Sequence, residues 1–390
     1  MIYDFDTAID RISTNAEKWK GLPEGAISMS IADMDFKPMP EIGEAVKTAA
    51  DRGEYGYVCL TDEDHKAVSD WVYIQTGKRI PQEYFIATPG VLYTARTALY
   101  ALTKETDKVI IQTPLHTPSI ASASMLGREA LRNELIYKDG AYSIDLDGLE
   151  GLFKKGAKAL MICTPHNPTG RSWNENELKS IAFLVNKYDA YVISDEIHKD
   201  ILWHGAKHIS PADIPSLAGR TVAAFSTSKS FNMGGFHIGS AVIPDEDIRK
   251  RVVDRFYAHG HSCDRPSVMC IAAQTAAYTK GKAWFDEMKA YVEKNFLLAL
   301  DMLSDLPVRA SFPEGTFLLW ADITELGWNA DKLKDVMYKE WKVIGDPGSY
   351  YDTTAYASYK GMEHHIRFNL ATPRSNVEEA MTRIRKYFGK

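Results

Sequence analysis

Cysteine is scarce in this chain, and the few present do not combine into a recognisable site. Cys59, Cys163, Cys263 and Cys270 show neither a CxxC step nor a paired zinc spacing. This argues against a disulfide scaffold, a dithiol redox centre and a structural zinc, and predicts free, buried thiols in a reducing cytosol. Long apolar runs are also missing: none approaches the ~20 residues that cross a bilayer, so a membrane role is not expected. The opening Met-Ile-Tyr-Asp-Phe-Asp-Thr lacks a basic segment followed by an apolar one, which predicts no secretory signal and a cytoplasmic location. Excess positive charge is absent too. With 46 Lys and Arg against 52 Asp and Glu, the net charge is -6, a poor match for nucleic acid. There is no internal repeat, low-complexity tract or Gly/Ser linker, which excludes a solenoid or a tethered array.

What is present suits a large folded enzyme. At 390 residues, 45% hydrophobic and 25% charged, the chain can bury a full core and is longer than one ordinary domain. Eight Trp and twenty Tyr suit a ligand-binding interior. Helical periodicity covers 40–52, 62–76, 91–102 and 174–187. Short apolar strands are expected at 85–87, 108–112, 157–163, 190–194, 221–225 and 238–243. Strands separated by helices predict an α/β fold, with a mostly parallel sheet covered on both faces. From 245 to 304 the pattern is mainly helical. Strands at 307–312, 316–321 and 364–370 and helices at 330–341 and 376–388 then predict a smaller α+β domain. The expected division is 1–40 packing with the small domain, 41–285 as the large domain and 286–390 as the small one, the boundary lying inside a long helix.

Ligands in open α/β sheets gather at the carboxyl ends of the strands, and unusual polar groups sit there. Apolar 221–225 runs directly into Ser226, Ser228 and Lys229. A lysine desolvated at a buried strand end deprotonates more readily and attacks carbonyls, and two neighbouring hydroxyls suit a phosphate; a solvated loop lysine is the plain alternative. Thr88-Pro89-Gly90-Val91, between strand and helix, suits an anion at a helix start, or is an ordinary turn. Two prolines bracket Asn167 in 165–170, which either fixes its side chain at the sheet edge or simply makes a turn. Asp195 ends another apolar strand, where a carboxylate is costly unless paired, and a protonated pyridine nitrogen would be such a partner. Glu196 and His198 follow as supporting candidates. Their spacing also admits a metal site, but no second ligand cluster accompanies it. Arg367 interrupts an apolar strand and needs an anion, either a bound carboxylate or a structural partner.

Taken in order, these segments resemble fold-type I pyridoxal-phosphate enzymes of the aminotransferase class I/II superfamily, and within it the subgroup of cystathionine β-lyase-like C–S lyases, the MalY/PatB family. The carrying runs are Ala32-Asp33-Met34-Asp35-Phe36, Thr88-Pro89-Gly90-Val91, Pro165-His166-Asn167-Pro168-Thr169-Gly170-Arg171, Ser194-Asp195-Glu196-Ile197-His198, Ser228-Lys229-Ser230-Phe231-Asn232 and Arg367 to Arg374. They span essentially the whole chain, and the first and fourth are particular to the subgroup.

The resemblance implies pyridoxal 5'-phosphate as cofactor, joined to Lys229 as a Schiff base, with Lys229 later moving the substrate's Cα proton. It implies that Asp195 pairs with the ring nitrogen, that Asn167 and His198 lie near the ring oxygen, and that Gly90, Val91, Ser226 and Ser228 take the phosphate. Arg367, with Asn167 and the backbone at Ala32, would hold the carboxylate of an amino-acid substrate. Tyr57 looks like the tyrosine that reaches a neighbouring subunit's site, implying a homodimer with shared active sites. The implied activity is α,β-elimination from cystathionine or cysteine S-conjugates to thiol, pyruvate and ammonia. Alternatives are an aminotransferase or a pyridoxal-phosphate-bound regulatory protein. Three positions depart from the family pattern. His116 stands where a tyrosine usually stacks on the ring, and an imidazole can also carry charge. Ser30 replaces a common tryptophan, and His237 occupies a place near the phosphate. The tyrosine-rich stretch 348–361 reads as a lid or as an exposed loop.

Overall fold

A computed structural model of the chain describes residues 2–260, 262, 265–351 and 362–390. Its centre is a seven-stranded sheet of β1 (Phe85–Thr88), β2 (Lys108–Thr113), β3 (Glu129–Glu134), β4 (Ala157–Cys163), β5 (Tyr191–Asp195), β6 (Thr221–Phe225) and β7 (Gly239–Val242), in the order β1-β7-β6-β5-β4-β2-β3. The strands from β6 to β3 run parallel, whereas β7 is antiparallel to both β6 and β1. The sheet is therefore mixed at one side. The cause lies in the connection: residues 226–238 hold a four-residue helix, Thr227–Ser230, and a single 3-10 turn rather than a crossover helix, so the chain turns back.

Successive strand residues serve opposite faces, as the two-residue period requires. Val109, Ile111, Met161, Ile193 and Val222 pack with Leu99, Ile120, Val252 and Phe256 from helices at 91–102, 117–125 and 246–258. Ile110, Leu160, Ile162 and Val192 pack on the other side with Leu149, Phe153, Ile181 and Val185 from helices at 146–154 and 175–187. Helix ends follow their sequence signals. Thr61 with Asp64 and Asn174 with Glu177 form reciprocal capping boxes. Edge strand β3, Glu-Ala-Leu-Arg-Asn-Glu, escapes a search for apolar runs because it pairs on one side only and tolerates charge.

The C-terminal part carries a four-stranded antiparallel sheet of β8 (Arg309–Ala310), β9 (Leu318–Asp322), β10 (Asp346–Pro347) and β11 (His365–Asn369), in the order β8-β9-β11-β10. Ile27–Ser28 pairs with Val343–Ile344, tying the N-terminal segment to this part of the chain. The helical region breaks at Gly281 into helices 268–280 and 282–303, and residue 285 falls in the first turn of the second. The helix begun at Ala330 passes into π geometry over Val336–Trp341.

Two expectations change. Cys163 is buried and Cys270 half-buried, but Cys59 is exposed, because it lies in the irregular stretch between the first two helices; Cys263 lies outside the described residues. In the tyrosine-rich stretch, Tyr350 is exposed and Tyr351 buried, while 352–361 lie outside the described residues. Among the described residues no helix is long and apolar enough to cross a membrane.

Candidate active site

Strand β6 ends at Phe225, and Ser226 caps the turn that follows. Its Oγ accepts from the backbone N–H of Ser228 (3.1 Å) and donates to the Ile238 carbonyl (2.6 Å), while Ser228 Oγ donates back to it (2.9 Å). The hydroxyl proton of Ser226 is thus committed within the protein, and that of Ser228 leans on an oxygen it can leave. Lys229 projects from this turn, and its Nζ donates to the Ala32 carbonyl at 2.5 Å. Burial holds the amine below its usual range. Asp33 and Asp195 oppose that shift, and Arg367 and Lys18 add to it. A larger share of neutral amine is what a carbonyl-attacking lysine needs.

Asp195 ends β5, next to β6. It accepts the Ile197 N–H at 3.1 Å, and among the described residues no lysine or arginine forms an ion pair with it. Burial pushes its carboxyl up to about 6, against the pull of that N–H and of Lys229. His198 is buried against Phe317, both ring nitrogens lack a partner among the described residues, and burial together with Lys229 and Arg367 holds it well below its ordinary value. Strand β4 delivers Asn167, whose Oδ1 accepts from Arg367 Nη1 at 2.9 Å. Four elements distant in sequence therefore converge: the turns after β4, β5 and β6, and strand β11, which carries Arg367.

The run Ala-Asp-Met-Asp-Phe is a strapped loop. Asn369 Nδ2 donates to the carbonyls of Ile31 (2.7 Å) and Asp33 (2.8 Å). Asn232 donates to those of Met34 and Phe36 (both 3.0 Å) and accepts from the Met34 N–H (3.1 Å). The buried Lys18 ammonium binds Asp35 at 2.6 Å and the Asp33 carbonyl at 2.9 Å, and Arg11 pairs with Asp33. These contacts set the Ala32 carbonyl against Lys229. Sequence reasoning gave no role to Asn232, Asn369, Lys18 or Asp346, although the two asparagines stand within runs that carry the resemblance. Polar residues within apolar runs were the available signal for the two asparagines.

Other expected residues separate. Glu196 turns away to His208 (2.9 Å) and Ser210 (2.6 Å), because consecutive side chains leaving a strand face opposite ways. His116 follows β2 and begins helix 117–125. Burial, then Arg367 and Lys229, pull it down to about 3, which favours the neutral imidazole. His237 is exposed, with φ 51°, and Ser30 meets Ser28 at 3.2 Å. Tyr57 is 98% exposed and takes no part in the site of its own chain.

The chemistry of these groups fits a phosphorylated pyridine aldehyde. An unpaired carboxylate awaits a cationic ring nitrogen, and a desolvated amine suits an aldehyde. The helix 91–102 begins without a side-chain cap, behind Gly90 at φ 132°, where the space beside its Cα is open for close approach of an anion.

A model of the family described as aminotransferase class I and II matches residues 24–384. The chain is 33% identical to cystathionine beta-lyase PatB of Bacillus subtilis (strain 168), over 98% of this chain and 99% of that one. Among solved structures it is similar to cystalysin from Treponema denticola, which contains a pyridoxal 5'-phosphate cofactor, with a TM-score of 0.93, 31% identity and coverage of 100% and 99%. It is also similar to the pyridoxal-phosphate-bound C–S lyase of Staphylococcus hominis in its external aldimine form, with a TM-score of 0.89, 27% identity and coverage of 99% and 98%.

Proposed function

The chain belongs to the aminotransferase class I and II family, and from that premise we propose that it is a pyridoxal 5'-phosphate-dependent carbon–sulfur β-lyase, cleaving cystathionine or cysteine S-conjugates to thiol, pyruvate and ammonia. The observation that carries the reading is the pair Lys229 and Asp195 on adjacent strand ends, the amine held below its usual range and the carboxyl raised, each chiefly by burial. When bound, the cofactor supplies an electron sink for the charge left at Cα. The chain's residues supply the rest. Lys229 anchors the cofactor and moves the Cα proton. Asp195 would receive the ring nitrogen, His116 would stand at the ring face, and Asn167 and His198 would lie near the ring oxygen. Gly90, Val91 and Ser228 would take the phosphate, while the expected direct role of Ser226 gives way to orienting Ser228, because its hydroxyl proton goes to the Ile238 carbonyl. Arg367 and Asn167, with the backbone at Ala32, hold the carboxylate and so fix which bond at Cα faces the base.

In this reading residues 41–285 hold the cofactor, and 286–390 together with 1–40 cover the substrate. Tyr57, exposed on its own chain, serves a second copy in a cytoplasmic homodimer. The test is the visible absorbance of cofactor-loaded protein before and after L-cystathionine, with pyruvate assayed in parallel. A visible band with pyruvate release is expected. Bleaching without pyruvate would replace the lyase with an aminotransferase, and no band after cofactor is supplied would sink the role of Lys229.

A further inference from the structure

Arg367 already has a carboxylate. Asp346, directly opposite it in the β10–β11 pairing, takes its Nη2, while Nη1 goes to Asn167 and Nε has no partner among the described residues. The side chains are 3% and 13% exposed. Tyr351 completes the group: its hydroxyl donates to Asp346 Oδ2 at 3.0 Å, and the guanidinium lies over its ring, 5.1 Å from the centroid. A buried arginine without counter-charge is strongly unfavourable, and Asp346 removes that cost before any substrate arrives. The consequence falls on the ligand. An incoming carboxylate meets a guanidinium already shared with Asp346, whose negative charge disfavours its own.

We propose that Asp346 is a specificity-determining residue of this pocket: it moderates the hold of Arg367 on one carboxylate and rejects amino acids that bring a second. The inference rests on the reading that Arg367 binds the substrate's carboxylate. The substrate class it selects is amino acids whose β-substituent carries no net negative charge, such as thioether conjugates, and it disfavours aspartate and glutamate. Arg367 alone would have no such preference, since a guanidinium accepts either.

The experiment is equilibrium titration of cofactor-loaded wild type, Asp346→Asn, Asp346→Ala and Tyr351→Phe with L-alanine and L-aspartate. Binding is followed by the absorbance of the bound cofactor, and stability by thermal melting. Asp346→Asn keeps an acceptor for Arg367 and Tyr351 but removes the charge. L-aspartate is expected to tighten roughly tenfold relative to L-alanine. Tyr351→Phe keeps the charge and is expected to leave that ratio at the wild-type value. Asp346→Ala loses the acceptor as well, and is expected to shift the ratio as Asp346→Asn does while binding both ligands more weakly than Asp346→Asn. An unchanged ratio in Asp346→Asn, or equal weakening of both ligands with a lower melting temperature, would make Asp346 a scaffold residue and overturn the inference. So would a ratio shift in Tyr351→Phe equal to that in Asp346→Asn. Failure of the parent reading has a different signature: Arg367→Ala would then leave L-alanine binding intact, which would overturn both.

Discussion

Asp195 and Asp200 leave the same strand end within a few residues of each other, the first half-buried and the second buried, and the protein treats them differently. Asp200 receives the Trp71 indole N–H at 2.9 Å, the Ser230 hydroxyl at 2.6 Å and the Lys199 ammonium at 3.0 Å. Burial favours its neutral form, but Lys199, Ser230 and Trp71 outweigh it and hold the carboxyl below its usual range. Asp195 has one backbone N–H, and burial prevails, at about 6. The first region is complete: it ties β5 to the helix at 62–76 and to the Lys229 turn. The second is incomplete in a way that an external cation would complete. Chain neighbours can thus serve folding and binding respectively: Asp200 is buried among partners, whereas Asp195 is half-buried and has one backbone N–H.

The comparison breaks most visibly at Asp200. Replacing it with alanine leaves the buried Lys199 ammonium without its carboxylate, and stability should fall by about 3–5 kcal/mol, measured by urea denaturation of cofactor-free protein. A loss below about 1 kcal/mol would mean that Lys199 finds water or another partner, and the two regions would no longer contrast. Asp195→Asn should act on turnover instead. Pyruvate formation by loaded enzyme should drop about 10²-fold, the scale of removing one preorganised electrostatic partner, with no fall in the melting temperature of cofactor-free protein. A drop in melting temperature like that of Asp200→Ala would reassign Asp195 to structure.

The smallest effect is in pH dependence. The folded value of Asp195, about 6, stands above the ~3.9 of an unfolded aspartate, so the folded state holds more protons between these limits. The contribution of Asp195 to the stability of cofactor-free protein is therefore full below about pH 4 and lost as pH rises through 6. Asp195→Asn should flatten that part of the stability profile, and loading with cofactor should flatten it as well. An unchanged profile in the variant would show that the carboxylate is ionised throughout.

Much of the site was legible because charge in an apolar strand demands an explanation. Lys229 after Thr-Val-Ala-Ala-Phe, Asp195 after Tyr-Val-Ile-Ser and Arg367 within His-Ile-Arg-Phe-Asn all stand out for that reason. Helices 62–76 and 91–102 and strands 157–163 and 221–225 were legible to the residue, because apolar period and end signals agree there. Asp346 was not, since Asp-Pro-Gly reads as a turn and its partner lies on another strand. Nor was the reversal of β7, which depends on how little helix the preceding loop contains.

The sequence by itself determined the alternating α/β order, the parallel core strands and the strand ends bearing Lys229, Asp195 and Asn167, because these follow from local periodicity and from the cost of burying charge. Only the tertiary structure decided which groups meet. It set Ala32 against Lys229, Asp346 beside Arg367, Glu196 with His208 and Ser210, and His116 under the influence of Arg367 and Lys229. Hydrogen bonds and desolvation act through space between segments whose separation along the chain says nothing of their distance.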